Sequence, residues 1–176
     1  MSRDGYERAS IASIARAAEL SPGLVHYHFA NKEAILFAVI EQLRQGVRAR
    51  YEARLDHAVD PMDRLLAYVD AHVALGKDAE PRAVAAWVTI AAEAVGQPGV
   101  RELYAAAVRE ALAELRELVG NCLKHAGKPR RDTRAMAAAI LSAIEGAYQL
   151  SAAAPDVLPS GFAAPALRKM IRGLLA

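Results

Sequence analysis

Residues 10–29, with the sequence SIASIARAAELSPGLVHYHF, constrain the fold more than any other segment of the chain. Apolar residues recur from Ile11 at the spacing of one helix face, which predicts a first short helix over residues 10–18. Ser21 followed by Pro22 signals a second helix, because serine caps helix N-termini and proline is tolerated at the first helical position. Two short helices joined by a tight turn are typical of the unit that places its second helix in the major groove of DNA.

The helix pair has a predicted inner side and a predicted outer side. Ala15 is small enough to lie where the two helices cross. We expect the shared core to contain Ile14, Ala18, Leu20 and Val25, and the outer face to present Ser21, Pro22, Gly23 and His26. Short side chains on that outer face allow the helix to approach DNA closely. Tyr27, His28 and Lys32 carry hydrogen-bond donors suited to phosphate oxygens, beside a further helix N-terminus capped by Asn31.

The rest of the chain also favours helices. Alanine, the best helix former, occurs 40 times against 23 β-branched residues, and proline and glycine separate the apolar segments. We predict further helices over residues 31–57, 62–75, 81–95, 100–126, 132–153 and 161–175. The prediction is an all-α fold, with a small N-terminal helix-turn-helix module on a larger C-terminal helical bundle.

The run from Gly5 to Leu36 resembles the tetracycline-repressor (TetR) family of bacterial transcriptional regulators. The matching residues are Gly5-Tyr6, Ser10, Ile14-Ala15, Ala18, Leu20-Ser21, the run 23–29, Asn31-Lys32 and Ile35-Leu36. The resemblance implies a dimeric repressor that responds to a small effector, with a DNA-binding module over residues 1–45 and a ligand-binding and dimerisation domain over residues 46–176.

Carried over by position, the resemblance assigns DNA contacts to the helix pair and to the residue that follows it. The implied DNA-binding residues are Ser10, Ser13, Ser21, Pro22, Gly23, Leu24, His26, Tyr27, His28 and Lys32, the last as a phosphate contact. The chain departs from the family at His26, where a tyrosine is common, and at Glu19, where a glycine is usual. Glu19 must therefore adopt a left-handed conformation, or the turn must differ.

The family also places a helix upstream of Gly5-Tyr6, where this sequence has only residues 1–4. We therefore expect the first helix to be missing, with residues 1–8 poorly ordered and the helix pair less stable than the bundle. A chain of this kind could alternatively be a ligand-binding or interaction dimer that has lost DNA binding.

Polar-tipped aromatic residues on the apolar C-terminal helices suit a ligand cavity as well as a core. The candidate ligand-binding residues are Tyr68, His72, Trp87, Tyr104, Met136 and Tyr148. The last two predicted helices are candidates for a dimer interface. Their contact residues would be Ala139, Ala143, Gly146 and Ala147 on one helix and Leu167, Met170, Ile171 and Leu174 on the other.

Other readings of the sequence are weaker. His26 with His28, and Cys122 with His125, each lack the further ligands that a zinc site needs. The basic residues Lys124, Lys128, Arg130, Arg131 and Arg134 suit a solvated turn better than a second nucleic-acid contact. No phosphate-binding or nucleophile motif supports an enzyme, so we expect no cofactor and no catalytic residues, although a small helical enzyme stays an alternative.

Compartment and membrane association follow from the same sequence. Residues 135–154 read as a buried helix because Glu145 and Gln149 interrupt them. The single cysteine and the absence of a leader favour a cytoplasmic protein without a membrane segment.

Overall fold

The computed structural model describes Tyr6, residues 9–73 and residues 81–176. The described residues form α-helices joined by turns, which confirms the all-α prediction. The helices are α1 Ile11–Ala17, α2 Pro22–His28, α3 Lys32–Leu55, α4 Pro61–Val73, α5 Pro81–Gly96, α6 Pro98–His125, α7 Thr133–Ala153 and α8 Ala163–Leu175. The expectations about a missing first helix and about the order of residues 1–8 lie outside the described residues, apart from Tyr6.

The first three helices begin where the capping residues predict. The Ser21 hydroxyl accepts a hydrogen bond from the Leu24 amide at 3.2 Å, and Asn31 Oδ1 accepts one from the Ala34 amide at 2.8 Å. Glu19, in the turn between α1 and α2, has a φ of 58°. The left-handed conformation expected there is confirmed, and it costs about 1–2 kcal/mol in a residue with a Cβ.

The breaks between the later helices are close to those predicted. The break between α5 and α6 is shorter, because α5 ends at Gly96 and α6 begins at Pro98, leaving only Gln97 between them. Proline at the first helical position needs no hydrogen-bond donor, so it can start α6 directly. The predicted end of α4 at Leu75 falls within residues 74–80, which the structure does not describe.

Three apolar clusters stabilise the described fold. The main core joins α4, α6, α7 and α8 around fully buried Leu65, Leu115 and Ile144. A second cluster joins α3, α5 and α6, and contains Tyr6, Leu36, Ile40, Ile90, Ala94, Val100 and Ala107. The third is small and holds α1 and α2 against the start of α3. Helix α3 therefore takes part in both clusters nearest the N-terminus and connects the helix pair to the bundle.

The small cluster corrects the predicted core of the helix pair. Its buried residues are Ala15, Val25 and Ile35. Ala15 and Val25 were expected there, but Ala18 is exposed and Leu20 is 46% exposed. Ile35 replaces them because α3 supplies the third side of this core.

Helix α8 is fixed to α4 by an ion pair between Arg168 and buried Asp70, in which Nε and Nη2 of the guanidinium each contact one carboxylate oxygen. Leu167 and Ile171 face the main core of the same subunit. Among the described helices, none is both long enough and apolar enough to cross a membrane.

Candidate DNA-binding face and internal cavity

Helix α2 presents almost its whole surface to solvent. Val25 is its one buried residue, whereas Leu24 is 45% exposed and Tyr27 is 83% exposed. A Cβ built on Gly23 would meet nothing within 4 Å, so this position leaves open space on the exposed side. The residues of this segment that the sequence assigned to DNA contacts are all exposed: Ser21, Pro22, Gly23, Leu24, His26, Tyr27 and His28. Their contact with DNA stays a prediction.

Ser10 and Ser13 cap the helix that supports α2. The Ser13 amide donates to Ser10 Oγ at 3.1 Å, and the Ser10 amide donates to Ser13 Oγ at 3.0 Å. This reciprocal pair satisfies two amides at the start of α1. Both residues are exposed. Their contact with DNA stays a prediction, and their structural role at the start of α1 is independent of it.

Lys32 lies at the start of α3 and contacts Tyr6. Its Nζ donates to the Tyr6 carbonyl at 3.0 Å and lies 4.3 Å from the centre of the Tyr6 ring. The Tyr6 amide donates to Glu93 Oε1 on α5 at 3.1 Å. Lys32 therefore has a structural contact, and its predicted contact with a DNA phosphate remains a separate prediction.

A cavity of about 620 Å³ lies among α3, α4, α5, α6 and α7. Four of the predicted ligand-binding residues line it: Tyr68, His72, Trp87 and Tyr148. Tyr51 of α3 also lines the cavity, and its ring lies 5.5 Å from that of Tyr68. The volume is within the range of small-molecule sites.

The carboxylate of Glu145 lies in this cavity among aromatic side chains. Trp87 Nε1 donates to its two oxygens at 3.0 and 2.9 Å, and the Tyr104 hydroxyl also donates to it. Burial raises the pKa of Glu145 above its usual value, although both hydrogen bonds oppose that rise. Burial, together with the nearby Glu145 charge, raises the pKa of Tyr104 to about 12. Within the described residues, no basic side chain forms an ion pair with Glu145.

His72 contributes a neutral ring to the cavity wall. Its Nδ1 donates to the Tyr68 carbonyl at 2.9 Å, and burial lowers its pKa to about 4. The ring centroid lies 4.5 Å from that of Tyr68 and 6.5 Å from that of Tyr148. His72 is therefore uncharged near neutral pH and extends the aromatic surface.

The cationic residues on the cavity lining already have partners. Arg44 pairs with Glu41 and Glu110, and Arg48 pairs with Glu114 at 3.6 Å. Arg50 Nε donates to the Ala71 carbonyl at 2.8 Å. The arginines on α3 are thus engaged by carboxylates or a backbone oxygen, and no arginine among the described residues forms an ion pair with Glu145.

The prediction is wrong for the other two ligand residues, Tyr104 and Met136, which do not line the cavity. Tyr104 packs against Trp87 with ring centroids 5.1 Å apart and reaches the cavity through Glu145. Met136 is partly buried against the main core, and the cavity lining does not include it. The sequence analysis missed Glu145, Tyr51 and Glu114. A signal for Glu145 was present, because it is the one charged residue in the apolar run 135–154.

Cys122 and Lys128 have structural contacts. The buried Cys122 thiol donates to the Pro61 carbonyl at 3.2 Å, and burial raises its pKa to about 11. Lys128 Nζ donates to the Leu175 carbonyl at 3.1 Å, at the end of α8. These contacts fit an unreactive thiol and a structural turn.

Comparison with known proteins finds two family models that match different parts of the chain. Residues 1–39 match the family model for bacterial regulatory proteins of the tetR family, and residues 61–176 match the C-terminal domain of BetI-type transcriptional repressors. The HTH-type transcriptional regulator BetI of Rhizobium meliloti is 32% identical over 144 residues, which are 82% of this chain and 68% of that protein.

Solved structures share the fold. A TetR-family regulator from Rhodococcus superposes with a TM-score of 0.80 at 19% identity, covering 96% of this chain and 88% of that one. A transcriptional regulator from Saccharomonospora viridis in complex with choline has a TM-score of 0.64 at 21% identity, covering 98% of this chain and 88% of that one.

The matched proteins regulate transcription and are not enzymes, which excludes the enzyme alternative. The first family model matches the residues of the helix-turn-helix module, and the second matches the residues of the helical bundle. The chain therefore belongs to the TetR family of DNA-binding transcriptional regulators, with a C-terminal domain of the BetI type.

Proposed function

We propose that this regulator is a homodimeric repressor that a small, positively charged effector releases from operator DNA. The observation that carries the effector class is the Glu145 carboxylate, which lies in an aromatic cavity without a basic partner among the described residues. Partial burial disfavours the charged form of this carboxylate, and a cation beside it offsets that cost. An effector with a cationic group supplies the missing charge.

The walls of the cavity suit a quaternary ammonium group. Trp87, Tyr68 and Tyr148 all line the cavity that contains Glu145. Cations bind favourably over aromatic faces, and a quaternary ammonium has no N–H donor to leave unpaired. The structural neighbour from Saccharomonospora viridis is a complex with choline, which supports the same class of ligand here.

On the DNA side, the exposed surface of α2 would enter the major groove. Gly23 and Leu24 lie in its first turn, where base contacts are made in helix-turn-helix proteins. Ser10, Ser13, Tyr27 and Lys32 would position the module on the phosphates. The DNA-binding module would extend to about residue 45, inside α3, and the effector domain would follow. A protein that regulates bacterial transcription would act in the cytoplasm.

Dimerisation would use the outer surfaces of α7 and α8. Met170 is 62% exposed, Leu174 is 41% exposed and Leu150 is 47% exposed. Ala139 is also exposed. Ala147, Leu167 and Ile171 were predicted for the interface from sequence. They are buried within the subunit and cannot contact a second copy, so the prediction is wrong for these three residues. The remaining apolar and small residues still form a surface that a second copy can cover.

The effector class can be tested by calorimetric titration with choline and with its uncharged carbon isostere, 3,3-dimethylbutan-1-ol. Choline should bind at least about tenfold more tightly, because only choline gains the cation–π and carboxylate interactions. Glu145→Gln should reduce this preference to the part that the aromatic rings supply. Glu117 is an exposed carboxylate on α6 outside the cavity, so Glu117→Gln should retain the full preference. Equal affinity for the two compounds in the wild-type protein would contradict the proposal.

A further inference from the structure

Tyr6 is held from two sides by residues of different helices. Glu93 of α5 accepts a hydrogen bond from its amide at 3.1 Å, and Lys32 of α3 donates to its carbonyl at 3.0 Å. The Lys32 ammonium also lies over the Tyr6 ring. We propose that Glu93 is a positioning residue for DNA binding, which acts through Tyr6 and Lys32 to set the helix-turn-helix module against α5. We call these three residues the Tyr6 clamp.

The clamp lies close in sequence to α2, the helix proposed to enter the major groove. Lys32 is the first residue of α3, four residues after the end of α2 at His28. Asn31, which caps α3, precedes it directly. Any displacement of Tyr6 relative to α5 is therefore transmitted to the start of α3, and from there to the exposed surface of α2.

Tyr6 is buried in the second apolar cluster, but the packing around it is incomplete on one side. A cavity of about 350 Å³ lies beside the clamp, and both Tyr6 and Glu93 line it together with Leu36, Val39 and Ile90. A gap of that size leaves neighbouring side chains without close partners. The polar contacts of the clamp therefore contribute more to the position of Tyr6 than they would in a closely packed interface.

Helix α5 also lines the larger cavity, of about 620 Å³, in which Glu145 lies. Trp87, which donates to Glu145, lies six residues before Glu93 on the same helix. Trp87 and Tyr104 also pack against the second apolar cluster, which contains Tyr6 and Leu36. Because a helix moves as a rigid unit over this length, a shift of Trp87 on effector binding displaces Glu93. This regulatory consequence rests on the proposed function, whereas the positioning role of Glu93 does not.

The positioning role is tested by comparing Glu93→Ala with Glu93→Gln, since glutamine keeps an oxygen that can accept from the Tyr6 amide. The assay is binding to duplex DNA selected from a random pool by the wild-type protein. Glu93→Ala should weaken binding by about 3- to 10-fold, which is the loss expected for one hydrogen bond, and Glu93→Gln should stay within about twofold of wild type. Wild-type affinity in Glu93→Ala would overturn the proposal.

A double-mutant cycle separates the clamp from general destabilisation. In a Lys32→Ala background, where one side of the clamp is already lost, Glu93→Ala should change DNA affinity by less than about twofold. The same fold-loss in both backgrounds would mean that the two residues act independently, and would overturn the clamp even if Lys32 also contacts a phosphate.

Amide hydrogen exchange tests the clamp without DNA. Residues 11–29 should exchange faster in Glu93→Ala than in wild type or Glu93→Gln, while residues of α6 and α7 keep their rates. Unchanged exchange in residues 11–29 would contradict the clamp.

The regulatory consequence has its own measurement, in which choline is the probe. Glu93→Ala should still bind choline, as followed by Trp87 fluorescence, but choline should change its DNA affinity by a smaller factor than in wild type. If the wild type fails to bind choline, the proposed effector class fails, and the DNA and exchange experiments still decide the clamp. If choline binds and alters DNA affinity by the same factor in both proteins, the route through Glu93 is wrong.

Discussion

Replacing Arg168 by leucine should destabilise the folded subunit by about 2 kcal/mol. Asp70 is only 7% exposed, and both of its oxygens contact the Arg168 guanidinium. Removing one member of a fully buried ion pair costs about 3–5 kcal/mol, because the remaining charge is left without a partner. The Arg168 side chain is 52% exposed, so water reaches its end of the pair and reduces the loss.

The two members of the pair should differ in their effect. Asp70→Asn should cost about 1 kcal/mol, since the arginine left behind is half in water and the amide oxygen can still accept a hydrogen bond. The double variant should be less destabilised than the sum of the single variants, because it leaves no unpaired buried carboxylate. Urea unfolding followed by circular dichroism at fixed protein concentration measures these differences. A larger loss for Asp70→Asn than for Arg168→Leu would refute the reasoning.

Three further predictions concern the turn between α1 and α2, helix α2 itself and the cavity that contains Glu145. Glu19→Gly should stabilise the protein by up to about 1 kcal/mol, because glycine adopts the φ of 58° at this position without steric strain. Thermal unfolding measures the change, and a lower melting temperature than wild type would show that the turn is not strained. Leu24→Ala should alter the preferred operator sequence in a selection from random duplexes. Because Leu24 carries no charge, the salt dependence of binding should stay the same. An unchanged sequence preference would place Leu24 outside the groove. Choline affinity should fall as the pH drops through the raised pKa of Glu145, because protonation removes the charge that holds the cation. Calorimetry over a descending pH series should show this fall in the wild type but not in Glu145→Gln; a pH dependence that is the same in both proteins would contradict the role of Glu145.

Much of the helical organisation was predictable from local sequence signals. Ser21 with Pro22 and Asn31 determine where α2 and α3 begin, and their side chains make the capping contacts expected of them. Glu19 occupies a position that requires a left-handed residue, and the structure has it in that conformation. These features depend on a few neighbouring residues, so the sequence contains the information directly.

Features that depend on tertiary packing were harder to predict. Leu20 was expected in the core of the helix pair, but α3 fills that place with Ile35. Glu145 lies 58 residues from Trp87 in sequence, and their contact exists only because α5 and α7 pack together. The helix periodicity shows which residues share a face, but it does not show which helix that face meets. Tyr6 and Glu93 were missed as partners for the same reason.

The most direct test of the proposed mechanism is release of the protein from its selected operator by choline. Fluorescence anisotropy of labelled operator DNA follows release, with 3,3-dimethylbutan-1-ol as the uncharged control. The mechanism predicts that choline releases the wild-type protein at concentrations where the isostere has no effect, and that Glu145→Gln binds the operator normally but resists choline. Equal release by the two compounds, or undiminished release of Glu145→Gln by choline, would contradict a cationic effector held by Glu145.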